Sequence, residues 1–244
     1  SKNFNLIPNS FIFDAACASA IHAFKFAQLL LANGQTNAVI AGAVCLPEIQ
    51  NILSVFSTLQ TLNAASNYLP LSNHSKGLIP GEGLGFFFLK TLEQAEKDND
   101  KIYAVIEDIA ISNDAGASHL LAPDSSGQEY NLKKIYSKNI NSSKQVNYIE
   151  CHATGTSRGD ITELNTLNAI FQDDNPKPKI GANKGHFGHT LTASGIVSIL
   201  KVILSLQNEL IPKTLNNGNL VHPEKAEWIK EAILTENYLW NKKL

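Results

Sequence analysis

Apolar residues fall in short continuous runs separated by stretches with a helical period. Residues 11–16 read as a buried strand, Cys17 as a sharp turn, and residues 19–32 as an apolar helix closed by Asn33-Gly34. A second run, residues 37–44, is hydrophobic without alternation, which predicts a parallel strand covered on both faces. Residues 46–80 show no clean period and lead into the glycine-rich turn 79–85 and a strand at 86–90. Thr91 with Gln94 predicts a capping box for a helix to Asp98. A strand at 102–111, a loop at 118–127 and a weaker helix at 128–140 follow. The order then repeats: strand 146–151, polar turn, helix 160–171, short strand 179–182, a turn rich in glycine and histidine, and a helix at 191–206. The remainder is irregular, with one helix near 223–234. Strands alternating with helices predict an α/β fold with mostly parallel sheets covered by helices. The two strand-turn-helix units, at Cys17 and at His152, hint at internal duplication.

The chain has 244 residues, 43% hydrophobic and 17% charged, enough apolar material for one large core or two small ones. Basic and acidic residues nearly balance at a net charge of -2, with no long run of either sign, so the electrostatic footprint of a nucleic-acid binder is missing. The most apolar helix is interrupted by Lys201 and the N-terminus lacks a signal-like segment, so neither a membrane span nor targeting is expected. Three cysteines without CxxC spacing fit a reducing, cytoplasmic setting. Methionine is absent altogether, which raises the expectation of a fragment.

Chemistry concentrates at three strand-to-helix turns. Cys17 lies among small residues at a helix N-terminus, where the dipole stabilises a thiolate and a carbonyl can approach the sulfur. His152, in Cys151-His152-Ala153-Thr154-Gly155-Thr156, sits at a strand's carboxyl end, the edge where open α/β sheets bind ligands. Asp160 and Glu163 open the next helix and read there as charge complementing its dipole. The third turn carries Lys184 and His189 but lacks the GxxxxGK[ST] order of a phosphate loop. A zinc set drawn from Cys151, His152, His186 and His189 matches no common ligand spacing.

The cysteine in DAACASA, the histidine in ECHATGTSRGDITEL, and the lysine and histidine in GANKGHFGHTLTASG resemble, in that order, the catalytic blocks of the β-ketoacyl synthases. The forms DAACAS and ECHATGT look more like ketosynthases of polyketide or polyunsaturated fatty acid synthases than like discrete fatty-acid enzymes. The resemblance implies a thiolase-like, layered αβαβα fold, represented by its C-terminal portion without the complete N-terminal half. Residues 1–117 would be the rest of the half carrying the nucleophile, and 118–244 the half carrying both histidines.

It further implies that Cys17 accepts the acyl group and that His152 and His189 stabilise the enolate formed by decarboxylation of a malonyl extender. Lys184 would fix His152, with Glu163 and Asp160 in support. Substrates would arrive on the phosphopantetheine of an acyl carrier protein, with no metal, nucleotide or redox cofactor. A homodimer or a ketosynthase-like heterodimer is implied as well. Two departures stand out: no Gly-Phe-Gly-Gly-Thr-Asn-type loop is present, and Ser198 lies where some members carry an acidic residue. The competing reading is a non-catalytic partner subunit of the chain-length-factor type, which has no need for all four of Cys17, His152, Lys184 and His189. A thiolase would show a second catalytic cysteine near the C-terminus, and none is there. Phe24, Leu53 and Phe56 are candidates for lining an acyl pocket.

Overall fold

The computed structural model describes residues 10–46, 49–64, 67–114, 122–136, 143–216, 219–221 and 226–240. A 3-10 turn at Ala16–Ala18 leads into α1 (Ser19–Ala32). Ala20, Phe24 and Ala27, spaced one helical turn apart, are buried on it. The helix stops at Asn33, and Gly34 follows in the left-handed region at φ 63°, the usual close of such a helix. β1 (Val39–Cys45) then pairs with β2 (Gly83–Leu89), with Ile40 opposite Phe88 and Val44 opposite Leu84. Between them lies α2 (Ile49–Thr58). α3 (Leu92–Lys97) starts as predicted, the Thr91 hydroxyl accepting the Gln94 N–H at 3.2 Å.

The second half begins with α4 (Ser125–Tyr136), three residues earlier than the polar sequence indicated. β3 (Tyr148–Glu150) pairs in parallel with β4 (Lys179–Gly181), and α5 (Ser157–Phe171) connects them. After β4 come the single turn α6 (Lys184–Phe187) and the long α7 (Ser194–Asn208). β5 (Leu210–Ile211) and β6 (Tyr238–Leu239) pair antiparallel around α8 (Glu227–Ala232).

Two apolar clusters organise these elements. Leu164, Leu167 and Phe171 of α5 pack with Ile180 and Ile229 beneath β3 and β4. Ala20, Phe24, Ala41 and Ile196 join α1, β1 and α7, with Phe24 edge-on to Phe87 at 5.5 Å. Residues 191–208 form, among the described residues, the one helical stretch long and apolar enough to cross a membrane. Its Lys201, however, is buried in an ion pair with Glu150.

Three expectations are corrected. Among the described residues the sheets are not mostly parallel: β1–β2 and β5–β6 are antiparallel and only β3–β4 is parallel. Continuous hydrophobicity reports two apolar faces and leaves the direction of the neighbour open. One face of the β1–β2 pair in fact leaves Ile40, Val44, Leu84, Phe86 and Phe88 exposed. Residues 11–15 and 102–111 belong to no strand. An apolar segment with strand propensity joins a ladder only where another strand offers backbone partners, and neither segment pairs with a described strand.

Candidate active site

The three turns singled out in the sequence converge. Cys17 Sγ lies 3.2 Å from Nε2 of His189, and the His152 and His189 rings meet edge to face at 5.3 Å between centroids. Each turn carries a non-glycine residue in the left-handed region: Ala16 at φ 49°, Ala153 at 38° and Leu191 at 42°. Such conformations cost about 1–3 kcal/mol each and persist only where neighbours hold them. Around Cys17, the Ser19 hydroxyl accepts the Ala15 N–H and donates to Ala16 C=O, while Ser194 on α7 donates to Cys17 C=O at 3.2 Å.

The His152 peptide is clamped from both sides. Its N–H and that of Ala153 donate to the two oxygens of Glu163, at 2.7 and 2.8 Å, and Lys184 Nζ donates to its carbonyl. Asp160 secures the next stretch of the turn, accepting N–H bonds from Gly155 at 3.0 Å and Leu71 at 2.8 Å. Gly155, at φ 76°, is required there: a Cβ would lie 2.5 Å from the Tyr68 ring. Tyr68 in turn donates its hydroxyl to Thr154 C=O at 2.6 Å. His189 is held by its backbone, its N–H reaching Ile79 C=O at 2.7 Å and its C=O taking the Gly81 N–H at 2.9 Å. The glycine-rich turn 79–85 is thus the shelf under His189.

The electrostatics give these groups distinct roles. Burial pushes the Cys17 thiol above its usual pKa, against the opposing pull of Lys184, so burial outweighs the thiolate stabilisation expected at a helix N-terminus. Burial and the Lys184 charge push His189 down to about 3. His152 is exposed to solvent on its cavity side, and desolvation by the surrounding atoms, then the charges of Lys184 and His189, lower its pKa from the usual histidine value. Both imidazoles are therefore neutral at pH 7. Nδ1 of His189 accepts the Leu191 N–H at 3.2 Å, which leaves the hydrogen on Nε2, facing the sulfur. Among the described residues Cys17, His152 and His189 are the one cluster that could hold a metal by donor type, with ligand atoms within 4.8 Å of one another. Metal ligation by His189 would require moving that hydrogen to Nδ1 and breaking the Leu191 bond, so the arrangement suits donation rather than ligation. The zinc set drawn from the sequence does not form, as Cys151 is buried in the core cluster and His186 is exposed.

Lys184 is 1% exposed, its pKa lowered by burial and raised again by Glu163 and Glu150. Asp160 is fully buried, and burial raises its carboxyl to about 7. Sequence reasoning missed Glu150. Asn183 donates to its carboxylate at 2.7 Å and to the Ser198 hydroxyl at 2.9 Å, so a carboxylate reaches the Ser198 neighbourhood from β3 rather than from the helix. A cavity of about 1490 Å³ opens beside Cys17 and His152 and runs along α1 and α7, lined by Phe24, Leu31, Ile199 and Ile203. Leu53 and Phe56 do not line it.

Comparison with known proteins agrees with this geometry. Residues 1–95 match the family model for the N-terminal domain of β-ketoacyl synthase, and residues 103–217 that for its C-terminal domain. The chain is 38% identical over 218 residues to a polyunsaturated fatty acid synthase polypeptide of Thraustochytrium sp., a match covering 88% of this chain and 10% of that protein. It is 30% identical over 222 residues to polyketide synthase PksL of Bacillus subtilis, covering 90% of this chain and 5% of that one. Among solved structures, the PfaC keto synthase-chain length factor superposes with a TM-score of 0.89 at 36% identity, over 94% of this chain and 25% of the other. The ketosynthase from module 6 of the Bacillus subtilis bacillaene synthase gives 0.83 at 28% identity, over 95% and 42%. These superpositions give the chain a thiolase-like α/β fold, and it spans about a tenth or less of the length of these curated relatives. Matched by both domain models along most of its length, the chain belongs to the β-ketoacyl synthase family.

Proposed function

We propose that this chain carries the catalytic centre of a β-ketoacyl synthase that joins a Cys17-bound acyl group to a malonyl extender with loss of CO2. The observation that carries the reading is the neutral His189 Nε2–H directed at Cys17 Sγ, with the second imidazole beside it. In the first step the sulfur attacks an acyl thioester, the Cys17 N–H helping to hold the oxyanion, and the thiol proton leaves with the departing pantetheine sulfur. In the second, the malonyl carboxylate departs as CO2 and its bonding electrons form an enolate, to whose oxygen His152 and His189 donate. The enolate carbon attacks the acyl carbonyl, the carbon–carbon bond forms, the carbon–sulfur bond breaks, and one proton restores the thiol. Neutral donors suit this step, since a carboxylate at the same place would repel the developing charge. Lys184, Glu163 and Asp160 hold the His152 turn, and the apolar cavity takes the acyl chain.

Phosphopantetheine on an acyl carrier protein delivers both substrates in this reading, without metal, nucleotide or redox cofactor, in the cytoplasm. Residues 1–117 then belong to the half carrying the nucleophile, and 118–244 to the half carrying both histidines. Phe11, Ile12 and Phe13, exposed at 57%, 98% and 37% next to the nucleophile turn, suit a contact with a second ketosynthase-like subunit. A non-catalytic chain-length-factor role has no use for the sulfur–imidazole contact. The test is intact mass of the whole polypeptide after incubation with a short acyl-pantetheine thioester. One acyl group should add, and none to Cys17→Ala; an unmodified parent protein would contradict the reading.

A further inference from the structure

Below the catalytic turns lies a polar network that the proposed steps do not use. Glu150 is the last residue of β3, two positions before His152, and its side chain is only 4% exposed. Lys201 Nζ on α7 reaches its carboxylate at 2.7 Å and is itself 8% exposed. The Tyr148 hydroxyl donates to the same carboxylate and accepts from Lys201 at 2.9 Å. Asn183, the residue before Lys184, donates to Glu150 at 2.7 Å and to Ser198 on α7 at 2.9 Å. The backbone is shaped to admit this arrangement: a Cβ at Gly181 on β4 would sit 2.2 Å from the Tyr148 hydroxyl oxygen.

Three segments meet at this one carboxylate. They are the strand that leads to His152, the turn that carries Lys184, and the helix that follows His189. Glu150 and Ser198 also line the cavity that opens at Cys17. Charge is matched locally, with Glu150 and Glu163 set against Lys184 and Lys201. A buried ion pair of this kind is weak evidence for stability, because two apolar residues of similar volume often serve as well. Its value here is geometric, since it joins the carriers of separate catalytic groups.

We propose that Glu150 is a positioning residue, whose carboxylate, held by Lys201, Tyr148 and Asn183, fixes the strand end leading to His152 against the Lys184-bearing turn. The inference rests on the condensing reading above. It assigns Glu150 to the decarboxylation step, which uses His152, and not to acylation of Cys17.

The test uses the whole polypeptide with the double variant Glu150→Gln/Lys201→Met, which removes both charges and so leaves neither buried alone. Tyr148→Phe, which removes a single clamp at nearly constant volume, is the companion should the double variant fold poorly. Two rates are read: acylation of Cys17 by mass, and CO2 release from a malonyl-pantetheine thioester as a function of pH. Acylation should stay within about threefold of the parent, while decarboxylation falls at least about tenfold in the double variant and about threefold in Tyr148→Phe. The alkaline limb of the decarboxylation profile should also move to lower pH in the double variant. Lys184 faces Glu163 and Asp160 of α5, Glu150 of β3, the following Cys151, Cys17 and both imidazoles, and loses one of its three facing carboxylates. Parental decarboxylation rates and pH profiles in both variants would overturn the inference alone. A parent protein that neither acylates nor decarboxylates would overturn the condensing reading, and this inference with it.

Discussion

Glu163→Gln changes one atom and should disable the His152 turn. Both carboxylate oxygens accept backbone N–H bonds, from His152 at 2.7 Å and Ala153 at 2.8 Å. Glutamine keeps one acceptor and turns an NH2 group toward the other N–H, so one charge-assisted bond is lost and a donor is left without a partner. Each effect is worth about 1–3 kcal/mol, and partial access of the side chain to water trims the sum to about 2–4 kcal/mol of lost stability. Ala153 stands at φ 38° because those bonds hold it. Released, the turn should relax and carry the His152 ring away from its 5.3 Å approach to His189. A displacement on the order of 1 Å costs about a hundredfold in a positioned reaction, which is the expected fall in CO2 release from a malonyl thioester. Urea unfolding and the CO2 assay on the whole polypeptide read both effects. Stability within about 1 kcal/mol of the parent together with unchanged CO2 release would refute the reasoning.

Four further outcomes are expected. Gly155→Ala places a methyl 2.5 Å from the Tyr68 ring on a backbone at φ 76°, and should destabilise by about 2–4 kcal/mol in thermal or urea unfolding. Folded Asp160 holds its proton to about pH 7 while an unfolded aspartate releases it near 4, so its contribution to stability falls as pH rises across that window. Asp160→Asn should remove that slope in unfolding curves at pH 5 and pH 7. His189, depressed to about 3, works in the opposite sense: its contribution falls as pH drops from about 6.5 toward 3, and nitrogen NMR should show hydrogen on Nε2 alone between pH 5 and pH 8. Because burial raises the Cys17 thiol, its alkylation by iodoacetamide should still be accelerating above pH 9, and a plateau near neutrality would contradict that environment.

Legibility in the sequence followed the range of the interactions. Helix α1 and its Asn33-Gly34 close, the Thr91 cap of α3, and the strand-helix-strand order from β3 to β4 rest on neighbours within a few residues, and all were visible. Cys17, His152, Lys184 and His189, which the structure brings together, stood out in the sequence because a cysteine, histidine or lysine among small residues in a turn before a helix is itself a local signal. Glu150 was not. A glutamate ending an apolar strand and a lysine interrupting an apolar helix each look like a blemish, and only the fold brings residues 51 apart into one ion pair. The signal available was the opposite sign of two charges in two otherwise apolar elements. Helix α2 lay in a stretch without a clean period, and residues 102–111 have strand propensity but pair with no described strand.

The central claim is that the sulfur and the two imidazoles form one condensing site. The most direct measurement is a single turnover of the acyl-loaded polypeptide with a malonyl-pantetheine thioester, following the acyl mass on Cys17, the CO2 released and the β-ketoacyl thioester formed. The account predicts that one acyl group disappears for each CO2 and each β-ketoacyl product. CO2 release with the acyl group still on Cys17, or acyl loss by hydrolysis without product, would contradict it.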